Sequence, residues 1–313
     1  MKLQQLRFLV EVVDSDLNVT IAAQRLFTSQ PGVSKQLRLL EVELGVTIFE
    51  RAGKRFTGLT PAGTAIVRSA RRVLLEADNF KRVGEEVRDE SSGTLTVVTT
   101  HTQARYVLPL VVAEFIRRFP QVRLSIREGH PASVAEAVQR GEAEIGIATE
   151  SLSGAAGLIS LPAYSWSHLV ITPTSHPLLC SKHLTLKSLA EYPLITYDPA
   201  YSGRSRIDDA FRRAEITPNL VLTAVDSDVI KTYVNLGLGV GIIAERAFDP
   251  QRDVGLTGIA AKHLFGANVT RVALRRGMQP RRFVLAFLEL LSPQLSPEAI
   301  VAASREDGES YDI

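Results

Sequence analysis

Cysteine is all but missing from this chain of 313 residues: Cys180 stands alone. An intramolecular disulfide is therefore excluded, and so is a metal site built on paired thiolates. Long apolar runs are missing as well; none approaches the roughly 20 residues that a membrane-crossing helix needs. The opening Met1-Lys2-Leu3-Gln4-Gln5 lacks the basic-then-apolar pattern and the small-residue cleavage site of a secretory leader. Together these absences predict a cytoplasmic protein without membrane association. Catalytic signatures are absent too. There is no His-Glu-x-x-His pair and no nucleophile elbow, and the six histidines, among them His101, His130, His168 and His263, are scattered. Leu236-Gly237-Leu238-Gly239-Val240-Gly241 faintly resembles a dinucleotide loop. Its third spacing is wrong, however, and it leads from a helix into a strand, the reverse of what such a loop requires. It reads as a helix stop and a tight turn. No enzyme activity, cofactor or metal is expected.

What is present is charge in one place. The formal net charge is only +2, yet between Asn18 and Arg72 nine bases (Arg25, Lys35, Arg38, Arg51, Lys54, Arg55, Arg68, Arg71 and Arg72) outnumber three acids (Glu41, Glu43 and Glu50). Such a segment has the footprint of a nucleic-acid binder, although a solvated charged surface would look the same on charge alone. Apolar stripes at helical spacing run through Leu6, Leu9, Val10 and Val13, then Val19, Ala22, Ala23 and Leu26, then Val33, Leu37, Leu40 and Leu44. Asn18 and Ser29 are positioned as N-caps of the second and third, and Pro31 falls in the first turn of the third, where its missing N–H does no harm. Only Phe27 and Thr28 separate the second stripe from Ser29, so the pair reads as a helix-turn-helix. On the third helix Gln30, Ser34 and Arg38 share a row beside Pro31 and Lys35. Those polar groups can hydrogen-bond base edges and phosphates; an ordinary amphipathic surface helix is the alternative. Val46-Thr47-Ile48-Phe49 and the run to Phe56 then form two β-prone stretches around a basic turn. This predicts a wing with Arg51, Lys54 and Arg55 near phosphates, or else a plain surface hairpin.

Thr60-Pro61 opens a long helix. Ile66, Ala70, Val73, Ala77, Phe80, Gly84 and Val87 repeat every 3.5 residues on average, the seam of a helix that packs on a partner helix. Dimerisation is one reading of that seam and packing on the helix's own N-terminal unit the other. A polar, turn-rich stretch, Asp89-Glu90-Ser91-Ser92-Gly93, then marks a boundary. Beyond it strands (94–99, 122–127, 145–148, 168–172, 194–197, 220–224, 240–244 and 269–274) alternate with helices (106–119, 132–140, 205–214, 228–236 and 281–291). This pattern predicts α/β architecture with a mainly parallel sheet in two small lobes, whose ligand lies at the C-terminal ends of strands. Thr99-Thr100-His101-Thr102-Gln103-Ala104-Arg105 follows one strand and precedes a helix. Its hydroxyls, amide and unpaired helix-start N–H groups can converge on a small anion; simple capping needs only one or two of them. Thr149 and the Tyr201-Ser202-Gly203-Arg204-Ser205 loop sit at other strand ends.

At 18–63 the sequence resembles the LysR-type transcriptional regulators, through Ala22-Ala23, Leu26, Ser29-Gln30-Pro31, Val33-Ser34, Ile48-Phe49-Glu50-Arg51 and Leu59-Thr60-Pro61-Ala62-Gly63. Elsewhere it is similar to the CysB-like branch of that family, the regulators of cysteine biosynthesis and sulfur assimilation. Segments 1–7, 16–19, 28–32, 99–106, 147–150, 203–205 and 228–234 carry that likeness. The resemblance implies an all-α winged helix-turn-helix DNA-binding domain over 1–60, a linker and dimerisation helix over 61–90, and an effector domain over 91–295. That domain would be two-lobed, like a periplasmic binding protein, and followed by a variable tail over 296–313. It also implies a homotetramer that binds double-stranded promoter DNA, and an effector cleft that takes acetylated serine as inducer and sulfate or thiosulfate as anti-inducer. The effector residues implied here are Thr100, Thr102, Gln103, Thr149 and Ser202, the last commonly threonine in the family. The DNA-binding residues are Ser29, Gln30, Pro31, Ser34, Lys35, Arg38, Arg51, Lys54 and Arg55. The competing classes are a solute-binding or sensing protein without DNA activity and, more remotely, an enzyme of small metabolites.

Overall fold

Each of the three apolar stripes folds as a helix in the computed structural model, which describes residues 1–53, 55–88, 92–181, 183–201 and 203–305, leaving aside the side chains of 82, 83, 85–88, 304 and 305. They are α1 (Leu3–Asp14), α2 (Val19–Arg25) and α3 (Gln30–Leu44). Asn18 caps α2 by accepting the Thr20 and Ile21 N–H groups, and Ser29 caps α3 by accepting that of Gly32. Gly45, in the left-handed region, stops α3. The wing follows as the antiparallel pair β1 (Phe49–Ala52) and β2 (Arg55–Leu59). Leu9, Ala22, Val33, Leu37, Leu40, Ile48 and Phe49 are buried together, and Phe49 stacks on Phe56 with ring centroids 4.1 Å apart.

The long helix α4 (Pro61–Arg88) begins under tight constraint. Thr60 Oγ1 accepts the Gly63 N–H at 2.8 Å and donates to the Thr47 carbonyl at 2.7 Å. A Cβ on Gly63 would lie 2.0 Å from the Ile48 carbonyl oxygen, so only glycine lets the first turn of α4 close on the chain entering the wing. The 3.5-residue seam then divides. Ile66, Val67, Ala70 and Leu74 pack into the core of the N-terminal unit, whereas Val73 is 42% and Phe80 81% exposed. The side chain of Val87 lies outside the described residues. Packing on its own unit therefore accounts for the first half of the seam and leaves the second half uncovered within one chain.

Two compact units result, one comprising Met1–Arg88 with Gly277–Gln279 and the other Asp89–Arg276 with Pro280–Ile313. The second unit runs β3 (Gly93–Thr99), α5 (His101–Tyr106), α6 (Leu108–Arg118), β4 (Val122–Glu128), α7 (Pro131–Arg140), β5 (Ile145–Ala148), β6 (Leu158–Pro173), α8 (Leu186–Ala190), β7 (Leu194–Tyr197), α9 (Arg204–Arg213), β8 (Leu220–Ala224), α10 (Ser227–Asn235), β9 (Val240–Ala244), β10 (Leu256–Ala260), α11 (Lys262–Phe265), β11 (Ala267–Arg275), α12 (Arg282–Leu291) and α13 (Pro297–Arg305). Its strand order is β4-β3-β5-β11-β6-β9-β7-β8, with β10 added on β6.

The pairing is mixed rather than mainly parallel. β3 pairs in parallel with β4 and β5, and β7 with β8 and β9. Every pairing of β6 and β11 is antiparallel. These two strands cross between the lobes. Residues 158–167 of β6 pair with β11 in the first lobe, and residues 168–173 pair with β9 and β10 in the second. The sequence pattern marks only the second half of β6 as strand, because Pro162 cannot donate to a ladder. A bulge accommodates it: the register shifts at Thr270/Arg271, so Tyr164 faces Thr270 while Pro162 faces Arg271. The skipped Ala163 carbonyl accepts the Ser292 hydroxyl at 2.7 Å. Two further differences lie in the helices. The helix expected over 106–119 is α6, preceded by a separate short helix α5 in the stretch expected to lead into it, and the stretch expected to be a variable tail contains α13, with Ile300 buried. The glycine run after α10 is a helix stop and turn, with Gly237 at φ +78° before β9.

The closure at Gly63 gives a direct test. Gly63→Ala should lower the stability of the N-terminal unit by about 1–3 kcal/mol, the cost of forcing a methyl into a filled space. Urea unfolding of the full chain, read by amide hydrogen exchange in α1 and α3, measures it. An unchanged midpoint would mean that α4 and Ile48 separate without penalty.

Candidate functional site

The helix-turn-helix presents a polar surface because its apolar residues are consumed by the core. Ser29, Gln30, Pro31, Lys35 and Arg38 are exposed and Ser34 is half-buried. The Gln30 amide donates to Ser34 Oγ at 3.1 Å, so the two act as one patch, and the Ser29 hydroxyl is occupied as the helix cap. Phe27, in the turn between α2 and α3, has φ +50° and is 97% exposed. The sequence reading gave it no contact role, although a fully exposed aromatic beside the polar row is what a solvated turn would avoid.

The wing differs from expectation in where its strands and bases fall: β1 begins only at the last residue of the run 46–49, and Arg55 opens β2. Arg51 is in strand β1, not in the turn, and its guanidinium pairs with Glu41 of α3 while lying 5.2 Å from the Phe56 ring centre. Glu41 also accepts the N–H groups of Ile48 at 2.9 Å and Phe49 at 3.3 Å. This carboxylate thus anchors the start of the wing to α3, and the Arg51 charge is balanced inside the protein. Arg25 and Arg71 are likewise paired, with Glu11 and Asp14. All the described bases of the segment are exposed, but among the described residues only Lys35, Arg38, Arg55, Arg68 and Arg72 carry no ion pair beside the paired Arg25, Arg51 and Arg71, so the field is weaker than nine bases imply. Lys54 lies outside the described residues.

In the second unit the C-terminal ends of β3 and β5 bring Thr100 and Thr149 toward one region, as parallel strands of one lobe must. Thr100 is the N-cap residue of α5 yet makes no side-chain cap bond, and Thr100, Thr102 and Gln103 are buried. At six residues α5 is short, so its dipole adds little and hydroxyl and amide groups must carry any anion binding. Gln103 is largely committed to the fold: its Oε1 accepts the Tyr164 hydroxyl and its Nε2 donates to Thr270 Oγ1 at 3.4 Å.

Thr270, fully buried on β11, is the residue that sequence reasoning missed. Its oxygen also accepts the Trp166 indole N–H at 3.0 Å and lies 3.2 Å from Thr149 Oγ1. Two donors occupy its lone pairs, so the Thr270 hydroxyl hydrogen is left for Thr149 or for Tyr164, both within its reach. Burial pushes the Tyr164 hydroxyl up to about 12, so it remains a donor to Gln103 at neutral pH. Nothing local in the sequence marks Thr270 or Trp166 as partners of Thr149; they meet only because β6 and β11 cross beneath the strand ends.

Thr149 also lines a cavity of about 230 Å³ with Glu150, Gly203, Ser205, Arg206, Asn268, Val269 and Arg271. Here the lobes touch. The Gly203 N–H donates to Glu150 Oε1. Gly203 has φ +68°, and a Cβ on it would lie 2.3 Å from Asn268 Oδ1, so the loop can approach only as glycine. Ser202 lies outside the described residues. A second interlobe contact joins the Tyr106 hydroxyl to Asp228 Oδ1 at 2.6 Å. Burial alone would raise the Asp228 carboxyl, but the Tyr106 and Lys231 hydrogen bonds and the Arg105 charge outweigh it and hold it below the ordinary range. Among the described residues His101, Asp226 and Asp228 could come together around a cation. The Arg105 and Lys231 charges on Asp228 argue against that use. No helix of the described residues is long and apolar enough to cross a membrane.

Comparison with known proteins agrees with this division. Residues 3–64 match the family described as "Bacterial regulatory helix-turn-helix protein, lysR family", and residues 88–296 match "LysR substrate binding domain". The chain is 51% identical over 313 residues to the HTH-type transcriptional regulator CysB of Burkholderia cenocepacia, covering all of both chains. It is 46% identical over 316 residues to the HTH-type transcriptional regulator cbl of Escherichia coli K12, again covering all of both. Its fold matches the crystal structure of the cofactor-binding domain of the Cbl transcriptional regulator with a TM-score of 0.67 and 47% identity, over 69% of this chain and 95% of that one. With both segments matched and relatives aligned end to end, the chain belongs to the LysR family of helix-turn-helix transcriptional regulators.

Proposed function

We propose that this regulator controls genes of cysteine biosynthesis and sulfur assimilation, and that a small anion held between the lobes of its effector domain sets its activity. The observation that carries this reading is the end-to-end identity of 51% with a CysB regulator. Promoter DNA meets α3 through Gln30, Pro31, Ser34, Lys35 and Arg38, and the wing contributes Arg55 and Lys54. Ser29 acts by capping α3, and Arg51 by holding the wing to Glu41. The effector is acetylated serine as inducer, with sulfate or thiosulfate opposing it. Thr100, Thr102, Thr149 and Ser202 supply its hydrogen bonds, and Gln103 orients Thr149 through Thr270. The protein works in the cytoplasm as a homotetramer, and the uncovered part of the α4 seam around Phe80 is available to a second chain. No step of this cycle requires the protein to turn over a substrate. Ligand acts by differential affinity for two assembly states, which is the only way a bound molecule can shift such an equilibrium.

Two outcomes test the assignment. Arg38→Ala and Ser34→Ala should each weaken promoter binding in a mobility-shift assay. For Arg38 the loss of a base or phosphate contact corresponds to about 1–3 kcal/mol, roughly ten- to a hundredfold. Acetylserine binding should be unchanged in both, and unaltered footprints would sink the recognition-helix assignment. In the other unit, Thr100→Ala and Thr102→Val should weaken sulfate and acetylserine by roughly tenfold or more, the worth of a hydrogen bond to a charged group. Basal DNA affinity should stay as it was. Calorimetry showing wild-type affinity in both variants would remove these residues from the site.

A further inference from the structure

We infer that Glu150 selects the ligand of the cleft by accepting a hydrogen bond from it, so that the site favours a small acid carrying an ammonium, amide or hydroxyl group over an oxyanion with acceptors alone. The inference rests on the anion-binding reading above and supplies the other half of the ligand. Glu150 follows Thr149 at the end of β5 and lines the same cavity of about 230 Å³. Its two oxygens have different fates. Oε1 takes the Gly203 N–H from the opposite lobe; Oε2 is out of solvent and has no hydrogen-bond partner among the described residues. Buried acceptors without partners are rare in native proteins, because the group loses water and gains nothing. One placed on the wall of a ligand cavity is satisfied when the ligand brings a donor.

The rest of the wall fits such a molecule. Arg206 and Arg271 line the cavity with Glu150, and Arg271 is steadied by Ser160, whose hydroxyl and carbonyl accept from it at 2.8 Å each. A ligand with a carboxylate and a donor group therefore finds arginines, a threonine hydroxyl and a carboxyl around one cavity. The space exceeds that of one tetrahedral oxyanion, since liquid water occupies about 30 Å³ per molecule. A sulfate ion brings four acceptors and no donor. Beside Glu150 it meets either repulsion or the need to hold a proton on that carboxyl, which burial already pushes upward from its ordinary range. Sulfate can thus occupy the cleft without satisfying Glu150, which distinguishes an ion that merely fills the site from a ligand that also engages the carboxyl joined to the far lobe through Gly203.

The test is a cycle between residue and ligand, run by calorimetry on the full chain at neutral pH and fixed ionic strength. The probes are O-acetyl-L-serine, 3-acetoxypropionate (the same carboxylate and ester without the ammonium) and sulfate. Wild-type protein should bind O-acetyl-L-serine roughly ten- to a hundredfold tighter than 3-acetoxypropionate, the scale of a hydrogen bond between charged groups. In Glu150→Gln that preference should collapse to about threefold or less, with sulfate unchanged or tighter because an amide N–H now faces it. Comparing ligands on one variant cancels any loss of folded protein, and the wild-type preference needs no variant at all. An equal preference in both proteins, a parallel loss of all three probes in Glu150→Gln, or no preference in the wild type would overturn the inference. If sulfate binds and is lost in Thr102→Val while the preference does not move, the anion site stands and the role of Glu150 alone fails. If wild-type protein takes up none of the probes, both fall together.

Discussion

The effector unit depends on one buried hydroxyl. Thr270 lies where β11 crosses between lobes, and it joins Gln103 from α5, Trp166 from β6 and Thr149 from the end of β5. Gln103, Trp166 and Thr270 are buried, and with the half-buried Thr149 they form one connected network. Such networks are rigid when complete and costly when broken. Placing one at the crossing strands gives the cleft a fixed floor against which the threonine hydroxyls are aimed. The bulge at Thr270/Arg271 makes this possible, because it absorbs Pro162 and brings Tyr164 opposite Thr270.

Above that floor the lobes meet through polar contacts and through an edge-on ring contact between His130 and Tyr201. Glu150 takes an N–H from Gly203, and Tyr106 donates to Asp228. Contacts of this kind are replaceable by water or by a ligand at modest cost, unlike an interdigitated apolar seam. An effector in the cleft can therefore add to or compete with them. The N-terminal unit follows the opposite logic. Its helices are locked by Leu9, Leu37 and Leu40, by caps at Asn18 and Ser29, and by the Glu41 carboxylate that pins the wing. A recognition surface needs a rigid frame, because the direction of each side chain sets which base edge it can reach.

Much of this was legible in the sequence, and the reason is periodicity and capping. The three helices of the N-terminal unit follow from apolar stripes bounded by Asn18 and Ser29, and the wing from two β-prone runs flanking Gly53. The strands of each lobe follow from short apolar runs between turns. Thr100 and Thr149 were singled out because residues at the ends of neighbouring parallel strands share one side of the sheet. Periodicity failed where a chain segment serves two neighbours: Pro162 hid half of β6, and the α4 seam gave one repeat for two uses, an inner half packed on its own unit and an outer half around Phe80 left open. Charge counting failed for Arg51, because its partner Glu41 is close only once the wing folds back on α3.

The sequence alone thus settles the helices and caps of the N-terminal unit, most strands of the second, and that a basic helix-turn-helix precedes an α/β unit. Those features depend on neighbours within a few residues, and spacing records them. Only the tertiary structure decides which polar groups remain available. Gln103 is spent on Tyr164 and Thr270, Arg51 on Glu41, and Glu150 keeps one oxygen without a partner among the described residues. Each of those outcomes depends on a residue at least ten positions away in the chain, brought near by strand crossing or wing closure, and no local pattern encodes such a meeting.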